Sequence, residues 1–396
     1  MAGINFRGYS NVTKITIGNN ATCVQNFQNA FRGMSNLKTC TFPVNNVVNM
    51  SGTFYNCHNL SGSPVCGPNV TDMSWAYHYC NNFLTGSPVC GDKVTNMRNT
   101  YWFCWNLTGA PVCGPNVTNM MGAYCGCYNI RGNFACGDNV TDMYEAYALC
   151  YNMSSTPVCG PNVTDMSRAY YDCRNIKTAV CGPNVETMYQ TYSGCFNITS
   201  NPVCGNKVYN IFGTYEDCTN LSGSPVCGPN VTNMCNAYLG CTNLTGSPAC
   251  GPNVKYMDYA YFGCTKLTGN PVCTNNVREM GYAYYNCKNL SGAPVCGPNV
   301  RNIAYTYYGC TNLKGNAYFY SNSINKVANC FNGRNTSNML NIYVYNNTMA
   351  GYGFTLGNMI TNNNQSLVGA PITWTNDASN KRYYNTQYNI YIYYTL

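Results

Sequence analysis

Twenty-eight cysteines, about 7% of the chain, recur in pairs on a fixed beat. Cys66 and Cys80, Cys90 and Cys104, and Cys113 and Cys127 each lie 14 residues apart, while the gap to the next pair varies from 8 to 10. Thiols at this density could ligate a metal, act as nucleophiles, cross-link, or simply fill a core. A metal site lacks partners: only His58 and His78 exist, and Cys125-Gly-Cys127 has no second pair at zinc spacing. Nucleophilic catalysis lacks its base. Thirteen acidic residues are scattered over 396, and there is neither a Gly-rich phosphate loop nor a nucleophile motif, so no enzyme and no cofactor are expected. Two readings of the thiols stay open. Free Cys packs as a small hydrophobe, whereas residues stacked one repeat apart could reach disulfide distance. The opening MAGINFRGYSNVTKITIG has no basic stretch followed by an apolar run, so no secretory leader is expected and reduced thiols are favoured.

The cysteines belong to a longer beat. A Met/Ile series runs Met50, Met73, Met97, Met120, Met143, Met166, Met188, Ile211, Met234, Met257, Met280, Ile303, in steps of 22 to 24 residues. A Val lies three residues before each. An aromatic lies four after (Phe54, Tyr77, Tyr101 and onward to Tyr307), a Cys three further, and an apolar residue such as Leu60, Phe83 or Ile130 three beyond that. The residue before each aromatic is Ala or Thr. Spacings of three and four follow one face of a helix. Thr71, Thr118, Thr141, Thr164 and Thr232, one after the Val, are expected to cap its start. Gly-Pro-Asn before the Val reads as a turn, and Ser-Pro-Val-Cys as a strand of three or four residues. Strand alternation puts Cys66 inward and Val65 outward.

Each unit of about 23 residues thus predicts strand, turn, short helix and loop. Such a unit buries its apolar stripe only against copies of itself. The predicted fold class is an α/β repeat solenoid of leucine-rich-repeat-like coils with a β-rich C-terminal cap. It is read as an N-terminal cap over 1–23, about 14 coils over 24–340, and a cap or attachment segment over 341–396. At about 4.8 Å per coil the stack would be roughly 60–65 Å long. LNIYVYNN and NIYIYY in the last segment alternate as strands do.

Positions two and five after each Met should share a helical face turned away from the core stripe. They vary: Trp75 and His78 in one unit, Asn99 and Trp102 in the next. The last three full units give Tyr259 and Phe262, Tyr282 and Tyr285, Tyr305 and Tyr308. Six rings in register are a candidate contact patch, with Trp75 and Trp102 added as further candidates. The alternative is that the rings pack on the C-terminal segment or on one another and cap the stack.

Charge limits the partners. Only 9% of residues are charged, and the net charge of +8 comes from basic residues scattered singly. Neither a nucleic-acid groove nor an anionic-membrane patch is expected, and no 18-residue apolar run offers a membrane span.

The units resemble the BspA-like (Treponema-type) leucine-rich repeats. Ala260-Tyr261-Phe262-Gly263-Cys264 with Cys264-Thr265-Lys266-Leu267 matches that family's Ala-Phe-x-x-Cys and Cys-x-x-Leu, and NVVNMSGTFYNCHNL over 46–60 is similar to its surface-protein variant. The resemblance spans about 24–340, and Pro-Val-Cys replaces the family's aliphatic strand pairs. It implies a binding or structural role without catalysis. The function read from all of this is a phage virion component, a fibre, decoration or host-surface-binding protein assembled in the host cytoplasm. A bacterial cell-surface adhesin is the alternative. Expected partners are proteins of a particle or cell surface, with glycans as a further class and a homo-oligomer as the assembly. An ice-binding solenoid ranks low, because no regular Thr-x-Thr ladder is present.

Overall fold

The computed structural model describes residues 2–21, 24–321, 323–344 and 375–394. They fall into two compact units, Met1–Ile198 and Thr199–Leu396. Each unit is a stack of coils joined by parallel backbone bridges at the residue before the Met. In the first unit these run from Asn26 through Asn49, Asp72, Asn96, Asn119, Asp142 and Asp165 to Thr187. In the second they run from Asn210 through Asn233, Tyr256, Glu279 and Asn302 to Lys326.

The interior is the one the spacing requires. Val, Met or Ile, the aromatic, Cys and the following apolar residue are buried coil after coil, as with Val117, Met120, Tyr124, Cys127 and Ile130, except that Phe83 is 56% exposed and Leu84, one residue on, takes its core place. The aromatics stack face to face with centroids 5.3 to 5.8 Å apart from Phe31 to Tyr192. The second unit repeats this from Tyr215 to Phe331 at 5.4 to 5.6 Å.

The expected short helices are absent. Among the described residues the helical content is two single 3-10 turns, Val44–Asn46 and Ala378–Asn380. The predicted α/β coil is therefore corrected to a β-solenoid coil. The cause is local. Counting from the Met, positions +2 and +6 are left-handed in every coil, with φ from 49° at Gln190 to 77° at Gly33. A right-handed helix cannot pass through such residues. Alternate N–H groups close tight turns within the coil, as Thr53 to Met50, Tyr55 to Gly52 and Cys57 to Phe54. The intervening ones bond to the next coil, as Met50 to Asp72, Gly52 to Ser74 and Phe54 to Ala76. The backbone donors of this arc are thus paired within the coil or with the next one, and the same side chains face inward as in a helix.

The threonines do not cap helices. Thr71, Thr118 and Thr141 donate their hydroxyls to the carbonyls of Val48, Thr95 and Thr118 in the preceding coil, at 3.2 to 3.3 Å. The Gly-Pro-Asn turn is present, closed by Val70 N–H to Gly67 O at 3.2 Å.

In the second unit the strands Val295–Cys296, Gly315–Phe319, Leu340–Val344 and Ile390–Tyr394 run parallel in one sheet, followed by antiparallel Arg382–Asn385 and Thr375–Asp377. The strands read in LNIYVYNN and NIYIYY fall here, except that residues 345–347 lie outside the described residues.

Candidate functional site

Two devices fix where outward side chains sit. The first is a clasp. In each Tyr-bearing coil the buried hydroxyl reaches the Pro-Val-Cys segment, 12 residues upstream. Tyr124 Oη accepts from Val112 N–H at 3.0 Å and donates to Val112 O at 2.6 Å. The same pair of bonds joins Tyr77 to Val65, Tyr101 to Val89, Tyr238 to Val226 and Tyr284 to Val272. This explains why the Cys pairs keep a spacing of 14. It also explains why the segment is rarely a paired strand, since its polar groups bond to a phenol instead of a neighbour. Where the stacked aromatic is Phe the clasp cannot form, and the segment pairs as a sheet. Thr39–Thr41 precedes Phe54, and Gly315–Phe319 precedes Phe331.

The second device is the thiol of the inner Cys series. Cys80, Cys104 and Cys127 donate to the carbonyls of Phe54, Tyr77 and Tyr101 one coil back, at 2.9 to 3.1 Å. Burial pushes the thiols up, Cys57 to about 12. Among the 27 described cysteines none is paired in a disulfide, and Cys23 lies outside the described residues. The outer series, such as Cys66 and Cys113, is half-buried, and Val65 is 40% exposed beside it. The inward element of that segment is Pro64, with Cys66 only partly covered.

On this frame the candidate aromatics form columns. Tyr259, Tyr282 and Tyr305, all at +2, stack with centroids 4.6 Å apart. Phe262, Tyr285 and Tyr308, at +5, do the same at 4.6 Å. Within each coil the two rings meet at 5.8 to 6.0 Å. The result is a two-by-three grid with Tyr259 37% exposed and the other five half-buried. Among the described residues the ring contacts of these six are with one another. Burial, then the neighbouring phenols, raises the hydroxyl pKa of Tyr282 and Tyr285. Three bulky residues hold left-handed φ here, 57° at Tyr259, 58° at Tyr282 and 56° at Tyr305.

Trp75 and Trp102 lie in the first unit, outside this grid. Arg98 covers Trp75 at 5.2 Å. Trp102 ends a column in which Arg32 lies over Tyr55 at 4.0 Å, Tyr55 stacks on His78 at 4.5 Å and His78 on Trp102 at 6.1 Å. Burial, then Arg32, lowers the His78 pKa to about 4, so its imidazole stays neutral in the stack at neutral pH. A further column at +8 was not singled out by sequence: Trp105, Tyr128 and Tyr151 stack, and Arg174 lies over Tyr151 at 4.4 Å. The recurrence of an aromatic just after Cys104, Cys127 and Cys150 is the signal that marks it.

A groove of about 420 Å³ on the Pro-Val-Cys side of the second unit is lined by residues including Asn270, Val295, Cys296, Asn316 and Tyr318. No His or carboxylate lines it. Among the described residues no three His, Cys, Asp or Glu side chains are grouped to hold a metal, and no helix is long and apolar enough to cross a membrane.

The family model for the BspA type leucine rich repeat region, in six copies, matches residues 4–106 and 235–355. No curated protein matches the chain. Among solved structures it is similar to a leucine-rich repeat protein from Bacteroides ovatus, at 17% identity and TM-score 0.50, over 94% of this chain and 86% of that one. That likeness concerns the fold alone. A leucine rich cell surface protein from Faecalibacterium prausnitzii matches at 15% identity and TM-score 0.41, over 84% and 88%. With its family model covering more than half of the sequence, the chain belongs to the BspA-type leucine-rich repeat proteins.

Proposed function

We propose that this chain is a non-enzymatic binding protein displayed on a bacterial cell, and that the aromatic grid of its second unit is the contact surface. The observation that carries the reading is the grid itself. Six rings in two columns are left partly open to solvent, and three of them stand on left-handed backbone that Gly or Asn occupies more cheaply, at about 1–2 kcal/mol each. Rigid, preorganised aromatics lose little freedom on binding and are common anchors at contacts. Family membership supports a repeat protein that binds or scaffolds. The solved structure that shares the fold comes from a bacterium. On the family membership and this bacterial likeness, the cell-surface alternative is preferred to a virion component.

The test is a binding screen of the purified chain on immobilised polysaccharides and matrix proteins, run beside Tyr285→Ala/Tyr308→Ala. These side chains are half-exposed, so the variant should keep its melting temperature within a few degrees and lose at least about tenfold in affinity for whatever the parent binds. Equal binding by both proteins would remove the grid from the contact.

A further inference from the structure

The basic residues that look scattered in the sequence are gathered by the coil. Residues 255–334 hold eight of the 21 basic side chains and only two of the 13 acidic ones. Three of the eight, Lys255, Arg278 and Arg301, occupy the same position, two before the Met, in the three coils that carry the grid. They form one exposed column with backbone bonds running between successive members, Arg278 N–H to Lys255 O at 2.9 Å and Arg301 N–H to Arg278 O at 2.7 Å. Lys326 is exposed one position further along, in the coil after. On the far side of the rings, downstream of each inner Cys, stand Lys266, Lys288 and Lys314, all exposed. Lys266 Nζ bonds to Asn243 Oδ1 at 2.6 Å.

Among the described residues none of these cations has a carboxylate partner. The two nearby acids are Asp258 and Glu279. Asp258 already accepts from Gly281 N–H at 2.9 Å and from the Cys235 thiol at 3.8 Å. Like charges one coil apart, at about 4.8 Å, repel one another. A ligand bearing regularly spaced negative charge would relieve that repulsion along the Lys255, Arg278 and Arg301 column, while Lys266, Lys288 and Lys314, at offsets +9, +8 and +11, add a looser second cationic margin.

The rings narrow the ligand further. Their faces are closed against one another at 4.6 Å. Nucleic-acid readers of single strands need open faces for bases to stack on. Here the grid instead presents ring edges and five phenol groups, from Tyr259, Tyr282, Tyr285, Tyr305 and Tyr308, which can donate to oxyanions and sugar hydroxyls. We infer that the grid with its two cationic margins is a seat for a linear anionic polysaccharide, carrying carboxylate or sulfate groups, laid across successive coils.

This inference rests on the proposed role of the grid, so the experiment separates the two. The full chain, Arg278→Gln/Arg301→Gln and Tyr285→Ala/Tyr308→Ala are titrated with polygalacturonate, dextran sulfate, neutral dextran and single-stranded oligo-dT, at low and at high NaCl. The inference expects the parent to bind one of the two charged polysaccharides at least about tenfold more tightly than dextran, with affinity falling as salt rises. The arginine variant should lose about fivefold or more and show a weaker salt dependence. The tyrosine variant should lose affinity while keeping the parent's salt dependence. Melting curves within a few degrees of the parent show that the variants fold.

Binding that ignores salt and the arginine change but is lost in the tyrosine variant would leave the grid as a contact and overturn the anionic ligand. Loss in the arginine variant alone would overturn the seat on the grid. Unchanged binding in both variants, or none by the parent, would end both readings. Oligo-dT bound as tightly as the polysaccharide would overturn the choice of ligand.

Discussion

At the residue scale the repeat is held by two side-chain hydroxyls and a thiol that bond to backbone. Tyr124 shows how the clasp works. Tyr124→Phe keeps the ring stack but leaves Val112 N–H and C=O without their partner, and should cost about 1–3 kcal/mol, read as a lowered denaturant midpoint with unchanged slope. Phe54→Tyr should gain nothing comparable, since Thr39–Thr41 is already paired with Lys14–Thr16. The buried hydroxyl of Thr100 lies 2.9 Å from Met73 O and 2.8 Å from Met97 O, so Thr adds a bond to backbone where most other coils carry Ala.

Burial raises the inner thiols and the clasping phenols above their ordinary values of 9.0 and 10.0. These groups stay protonated in the folded chain while the unfolded chain releases protons above about pH 9, so the folded form binds more protons there. Stability is fully present below that pH and should fall as pH rises beyond it, steeply because many such groups are coupled to one transition. Thermal melts at pH 7, 9 and 10 check this. A midpoint that is flat across the series would contradict the burial.

At the element scale the left-handed corners decide the structure, and they were only half legible. The spacing of Met, Tyr, Cys and Leu identified the repeating core yet named the wrong element, and it missed Leu84, Cys125 and Ala148, which are buried as well. Inward positions 0, +3, +4 and +7 are shared by a helix and by this coil, so periodicity cannot separate them. The distinguishing signal sits in the outward positions. At +6, eleven of fourteen residues are Gly, Asn or Asp, the types that tolerate positive φ. Tyr79, Phe103 and Leu149 are the exceptions. The Gly126→Ala change tests the corner: its Cβ would sit 2.8 Å from the Phe103 ring at φ 71°, and a loss of about 1–2 kcal/mol is expected in chemical denaturation. An unchanged midpoint would mean the corner is not left-handed. The clasp was visible too, as the invariant 14-residue Cys spacing, but the reason for a fixed length lay in a Tyr–Val bond that no local pattern announces.

At the scale of the whole molecule, function is carried by columns. A single exposed Tyr or Lys means little in the sequence. One residue repeated at the same offset in three coils becomes a ridge about 4.8 Å in pitch. That is why the pairing of +2 with +5 aromatics could be read in advance despite the wrong element. The cationic margins could not, because Lys255, Arg278 and Arg301 lie 23 residues apart and only the coil brings them together. Within each unit the column geometry depends on every coil lacking a helix.

Far-UV circular dichroism of the purified chain tests that dependence most directly. A coil of left-handed corners predicts a spectrum without the helical minimum at about 222 nm. A pronounced helical double minimum, as short helices in every repeat would give, would contradict the account and the placement of both the grid and its cationic margins.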